Sequence, residues 1–207
     1  MYVPEEVVTN HDLAKRINTS DEWITERTGI KERRFFKEGE DTVSEMGARA
    51  AKMALDRAGK KPEDVDFIVF ATLSSDYHFP GSGVLMQRKV PFRNIGALDI
   101  RAQCSGFIYA LSVADQFIKT GMYKNALVIG SEVQSNVFEK SDRGRNMAVI
   151  FGDGAGAVVL EATTEENKGI LTTKLHSDGH FAEELFLEHP GSRRKERFTP
   201  DMLEKGD

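Results

Sequence analysis

One cysteine stands in 207 residues, which excludes an internal disulfide and leaves no sign of an oxidising compartment. Long apolar runs are missing as well. No window approaches the ~20 apolar residues of a membrane span, and the first twenty residues carry Glu5, Glu6, Asp12 and Lys15 where a signal peptide would be apolar. The expectation is a cytoplasmic protein with no membrane partner. A basic excess is lacking too: 28 Lys and Arg against 33 Asp and Glu give a net charge of -5, so the footprint that nucleic acid demands is absent. There is no short repeat, low-complexity tract or obvious linker. What is present, 40% hydrophobic and 29% charged residues, describes an ordinary globular chain. A chain of this length buries roughly 70% of its unfolded surface. The expectation is one domain over 1–207, with a loop-like tail from about 190 to 207.

Apolar spacing supplies the elements. Thr19-Ser20-Asp21-Glu22 reads as a capping box with Thr19 as the cap, opening a helix that carries Trp23 and Arg27 at i,i+4 and stops near Gly29. Thr42-Val43-Ser44-Glu45 repeats the signature, and Val43, Met46, Ala50, Ala54 and Leu55 form a helical stripe ending at Gly59. The run from Val65 to Ala71 is short and rich in β-branched and aromatic residues, and reads as a buried strand. A short helix over 82–88, a strand near 95–101, a helix from Phe107 to Gly121 and a strand over 126–130 follow. Strands alternating with helices predict a largely parallel, covered sheet, so the class is α/β. Farther on, the apolar runs 147–151 and 155–160 flank Gly152-Asp153-Gly154 as a hairpin or as one strand broken at a bend, and 169–175 offers a further strand.

The single cysteine, Cys104, falls where the strand near 95–101 gives way to a helix. A lone cysteine is ordinarily a small buried apolar residue. Position argues the other way, because unpaired N–H groups and the positive end of the helix dipole favour a thiolate. Ser105 and Gly106 keep the surroundings small, and ligands of open α/β sheets sit at the carboxyl ends of strands.

Gln103-Cys104-Ser105-Gly106-Phe107, the downstream run Gly152-Asp153-Gly154-Ala155-Gly156-Ala157, and the upstream Ser20-Asp21-Glu22-Trp23-Ile24 through Arg27-Thr28-Gly29-Ile30 resemble the β-ketoacyl-acyl-carrier-protein synthase III family. Phe79-Pro80 and Asp142-Arg143-Gly144 match in order, and the likeness runs from Tyr2 to about His189. The resemblance implies a thiolase-like fold, layered αβαβα, of which this chain holds the N-terminal half and part of the connection onward. It implies an acyltransferase that starts fatty-acid synthesis, with Cys104 taking an acyl group from an acyl-coenzyme A and malonyl-acyl carrier protein then condensing on it with loss of carbon dioxide. Coenzyme A thioester is substrate there, and no cofactor is implied. By the same resemblance Trp23 and Arg143 hold the adenine, Thr19 and Arg27 lie near the nucleotide phosphates, and Phe79 closes the partner's acyl pocket in a homodimer. Read without the resemblance, Trp23 and Arg27 are a half-exposed pair and Phe79 a core aromatic.

The Gly-rich run at 152–156 lacks the Lys-Ser/Thr ending and following helix of a phosphate loop, and reads as a turn beside the active site. The basic run 193–197 could face an acidic carrier protein, or be a solvated loop. The family's histidine and asparagine motifs, of the forms His-Gln-Ala-Asn and Gly-Asn-Thr, do not occur, and His11, His78, His176, His180 and His189 receive no catalytic role. The first strand is clipped as well. The 207 residues alone are therefore expected to be unable to condense. Two other readings stay open: an enzyme of the same fold with an acyl-coenzyme A acceptor, and a non-catalytic dimerising fragment that binds acyl-coenzyme A. A cysteine hydrolase needs a histidine paired to the thiol, and no motif supplies one.

Overall fold

The computed structural model describes residues 1–187, 191–193, 195 and 199–200. The chain divides into two compact units, 1–173 and 174–207. The first is built on a four-stranded sheet in the order β4-β3-β5-β6. β3 (Phe67–Ala71) runs parallel to β4 (Gly96–Ile100) and to β5 (Asn125–Glu132), with Phe67 opposite Gly96 on one side and Ala126 on the other. β6 (Gly154–Glu161) closes the sheet antiparallel to β5, from Asn125 opposite Glu161 to Glu132 opposite Gly154.

Alternation along the central strands sends side chains to two cores. Ile68 and Phe70 of β3 and Leu127 and Ile129 of β5 pack with Val43, Met46, Ala50 and Leu55 of α3 (Val43–Ala58) and with Met86 of α4 (Ser82–Gln87). Val69, Ala71, Ala126 and Val128 turn the other way, onto Ala110 and Ala114 of α5 (Gly106–Lys119). Both faces are covered, which is why these strands read as continuous apolar runs. α3 begins with half of the expected capping box, the Thr42 side chain accepting from the Glu45 amide, and Gly59 ends the helix at φ 62° as expected.

A second, two-stranded sheet pairs β1 (Glu6–Thr9) antiparallel with β2 (Glu32–Phe35). The helices α1 (Asn10–Ala14) and α2 (Asp21–Thr28) lie between these strands in the chain. Val8, Leu13, Ile17, Ile24, Ala148 and Val149 form their common core. Arg33 is buried there, its guanidinium donating to the carbonyls of Val8 and Val149 and to Asn10 Oδ1. Burial holds its pKa below the ordinary arginine value.

Three expectations change. The cap of α2 is Ser20, whose Oγ accepts from the Trp23 amide at 3.1 Å; Thr19 lies outside the helix, its buried Oγ1 without a hydrogen-bond partner. The run 147–151 is neither hairpin arm nor strand. Its start lies in α6 (Arg145–Ala148), and Ala148 and Val149 fill the small core instead of a ladder. Residues 169–175 form no strand, while the sheet is largely parallel as expected, with β6 alone antiparallel.

In the second unit, a short 3-10 turn at Gly179–Phe181 is capped by the Asp178 side chain, and Arg193 pairs with Glu183 at 2.8 Å. Most of the expected tail at 190–207, and His189, lie outside the described residues. Of the basic run 193–197, only Arg193 and Lys195 are described.

Candidate active site

Because β3, β4 and β5 are parallel, the loops leaving their carboxyl ends gather at one edge of the sheet. Cys104 lies there. The chain leaves β4 at Ile100, passes through Gln103 at φ 47°, and makes a 3-10 turn over Gln103–Ser105 that runs straight into α5. Gln103 sits in the left-handed region, which side chains seldom adopt. Ser105 Oγ donates back to the Ala102 carbonyl at 2.9 Å. The thiol of Cys104 is exposed. Gly106 opens α5 close against β3: a Cβ added to it would meet that of Ala71 at 3.5 Å.

Two carboxylates hold the neighbouring loops. Glu132, at the end of β5, accepts from the Leu73 amide at 2.8 Å, from Ser74 Oγ, and from Gln134 Nε2 at 3.2 Å. Asp153, buried, accepts from the amides of Phe36 at 2.7 Å, Gln134 at 2.7 Å and Ser135 at 2.9 Å, and from Ser135 Oγ. The Gly-rich run is therefore a structural clamp whose aspartate ties β2 to the loop after β5.

Trp23, on α2, carries two guanidinium groups. The Arg27 Cζ lies 4.5 Å from the ring centroid, and its Nη1 donates to the Trp23 carbonyl at 3.2 Å. The Arg145 Cζ lies 4.8 Å from the same ring, with Nη1 on the Asn18 carbonyl at 3.0 Å. Asp142 Oδ1 accepts from the Asn18 amide at 2.6 Å, so both ends of the 142–145 turn grip one residue. Arg143, the arginine singled out from the sequence, pairs with Glu139 at 2.6 Å. The structure thus brings Trp23, Arg27 and Arg145 together beside Thr19. Two arginines two residues apart are equivalent in the sequence, and only the turn geometry separates them.

Phe79 is 81% exposed in the loop between β3 and α4, edge-on to His78 at 6.1 Å, with a cis bond to Pro80. It is not a core aromatic. Tyr77 beside it is exposed as well. No group of His, Cys, Asp and Glu among the described residues could hold a metal ion, and no helix there is long and apolar enough to cross a membrane.

An α/β sandwich with an exposed cysteine at the strand-to-helix junction of its carboxyl edge defines a thiolase-like protein, of which the first unit supplies one helix-sheet-helix stack. A family model of 3-oxoacyl-[acyl-carrier-protein] synthase III matches residues 98–179, the stretch that contains Cys104 and Asp153. The β-ketoacyl-[acyl-carrier-protein] synthase III of Ehrlichia canis is 49% identical over 185 residues, 89% of this chain and 57% of that one. The enzyme of the same name from Methylococcus capsulatus is 48% identical over 191 residues, 92% and 58% respectively. Among solved structures, the 3-oxoacyl-(acyl carrier protein) synthase III of Pseudomonas aeruginosa superposes with a TM-score of 0.84 at 34% identity, over 99% of this chain and 62% of its own. The chain belongs to the β-ketoacyl-acyl-carrier-protein synthase III family and spans somewhat over half the length of these relatives.

Proposed function

We propose that this chain is the thiol-bearing part of a β-ketoacyl-acyl-carrier-protein synthase III, an acyltransferase that begins fatty-acid synthesis in the cytoplasm. One observation carries the reading: the only cysteine, exposed where β4 turns into α5, lies inside the segment matched by the family model. In the first step the Cys104 thiolate attacks the carbonyl carbon of an acyl-coenzyme A. A new carbon–sulfur bond forms, the bond to coenzyme A breaks, and the departing thiolate takes up a proton. In the second, malonyl-acyl carrier protein loses its carboxyl group as carbon dioxide. The electron pair of the broken bond attacks the acyl carbon, and Cys104 leaves as thiolate. That step puts negative charge on a thioester oxygen and calls for hydrogen-bond donors, which the resemblance assigns to histidine and asparagine motifs missing from these 207 residues.

Trp23, Arg27, Arg145 and Thr19 form the nucleotide end in this reading. The indole offers a flat π face, the guanidinium groups offer planar cations for the base and phosphates, and Thr19 brings an unpartnered hydroxyl. Arg143, which the resemblance assigns to the adenine, is held by Glu139. A homodimer fits the outer edge of β4, which has no strand partner among the described residues, and the projecting Phe79, which would close the partner's acyl pocket. Residues 1–207 then form one N-terminal condensing-enzyme domain with a loop-like tail.

The test is intact-mass spectrometry of the purified chain after incubation with acetyl-coenzyme A. One acetyl adduct is expected, mapped to Cys104 and absent in Cys104→Ala. An unmodified wild-type chain, or an adduct that survives in Cys104→Ala, overturns the reading. Addition of malonyl-acyl carrier protein should yield no ketoacyl product from this chain alone, and robust product would refute its incompetence. An acyl-coenzyme A acceptor in place of the carrier distinguishes the related condensing enzymes.

A further inference from the structure

The loop that presents Phe79 begins and ends at nearly the same place. At its start, Asp76 accepts from the Ser44 amide at 3.0 Å, from Ser44 Oγ at 2.9 Å and from Ser82 Oγ at 2.7 Å, while its own amide donates to Ser82 Oγ at 3.2 Å. At its end, α4 opens at Gly81, which has no side chain to cap it. The cap comes from another strand. Asp99 of β4 reaches across and accepts from the Gly83 amide at 2.9 Å, and from that of Ser82. Space is made for it at the cost of two side chains: a Cβ on Gly81 would stand 2.4 Å from the Asp99 carboxyl carbon, and one on Gly83 2.6 Å from Oδ1. Residues 77–81 are thus a short finger with a clamped base and an exposed tip.

Asp99 is also five residues before Cys104, on the strand that delivers the thiol. One side chain therefore connects the segment carrying Phe79 to the segment carrying the nucleophile. We propose that Asp99 is a positioning residue that sets acyl-chain selectivity in the partner's pocket, by fixing the base of the Phe79 finger against β4, the outer strand of the sheet. It touches neither substrate nor thiol; it acts through Phe79. The inference rests on the reading of Phe79 as the residue that closes the partner's acyl pocket. It goes further in assigning selectivity to a residue that lines no pocket itself.

The experiment compares wild type, Asp99→Ala, Asp99→Asn, Phe79→Ala and, as a control from the opposite edge of the sheet, Asp66→Ala. Each is given equimolar acetyl- and hexanoyl-coenzyme A, and the ratio of the two adducts on Cys104 is read by intact mass, with amide hydrogen exchange over 76–83 in parallel. A structural role would slow both transfers together and leave the ratio unchanged. Positioning predicts that Asp99→Ala exposes the Ser82 and Gly83 amides and shifts the ratio toward the longer chain by roughly tenfold, the scale of one methylene in an apolar pocket. Asp99→Asn keeps an acceptor oxygen and should fall between Asp99→Ala and wild type, while Asp66→Ala keeps the wild-type ratio. A ratio that moves in Phe79→Ala but stays fixed in Asp99→Ala overturns the positioning role alone. A ratio that moves in neither overturns the pocket reading beneath it.

Discussion

Asp66 and Asp99 stand at opposite edges of one sheet and do nearly the same work. Asp66 precedes β3 and accepts from the amides of Lys124 at 2.9 Å and Asn125 at 3.0 Å; Asp99, near the end of β4, accepts from those of Gly83 and Ser82. Burial pushes both carboxyls up and the amides pull both down, yet the net shifts have opposite signs. Asp66 lies below the ordinary aspartate value, because the Arg93 guanidinium 3.2 Å away adds to its amides. Asp99 lies above it: burial dominates, and the nearby charge of Asp76 works in the same direction. Deeper burial and a neighbouring anion outweigh the amides at Asp99, while shallower burial and a cation let the amides prevail at Asp66. At the amino edge the fold is simply fastened. At the carboxyl edge the fastening carries an electrostatic cost, beside the loops that hold Phe79 and Cys104.

The largest test of that contrast is Asp153→Ala. It would leave three amides on the carboxyl-edge side without an acceptor, and should lower stability by about 3 kcal/mol in urea denaturation. Asp66→Ala strips two amides and a half-exposed arginine, and a loss of about 1–2 kcal/mol is expected from the same measurement. The two aspartates should then part company with pH. The stability from Asp66 is complete above the unfolded aspartate value and is lost as pH falls through its depressed folded value. Asp99 binds its proton more tightly when folded, so its contribution falls as pH rises from the unfolded value through its raised folded one. Denaturation midpoints between pH 3 and 7 should therefore drop less on the acid side in Asp66→Asn than in wild type, whereas Asp99→Asn should flatten the opposite trend. The smallest effect is the sharpest. Arg93→Gln removes the neighbouring cation, costs under about 1 kcal/mol as an exposed pair, and should make the Asp66 carboxyl titrate higher by NMR. An unchanged titration would mean that amides alone hold Asp66 down.

Legibility in the sequence followed the kind of partner each residue has. α3, α5 and the three parallel strands were readable because their apolar spacing is answered by the two cores that cover the faces of the sheet. β1 and β2 were not, since Glu32-Arg33-Arg34-Phe35 has strand geometry without strand composition, and Arg33 is satisfied by carbonyls distant in the chain. The run 147–151 misled because its apolar residues serve the small core around Ile24 and not the sheet. Cys104 stood out at a junction visible in the pattern. Arg145 did not, because orientation on a turn has no compositional trace, and Asp99 passed for an ordinary strand residue because its role lies in backbone amides sixteen residues earlier.

Asp153 also has a bearing on time. Its carboxylate closes on the Phe36 amide across 117 residues and on Gln134 across only 19. Emerging from a ribosome, β1 and β2 can pair early, but the end of β2 stays untied until three quarters of this chain has been made. Contacts that span such separations form slowly, since the loop they close must first be ordered. The small sheet should therefore be the last part of the first unit to lock. Its two strands also bracket, in the chain, the helix that carries Trp23.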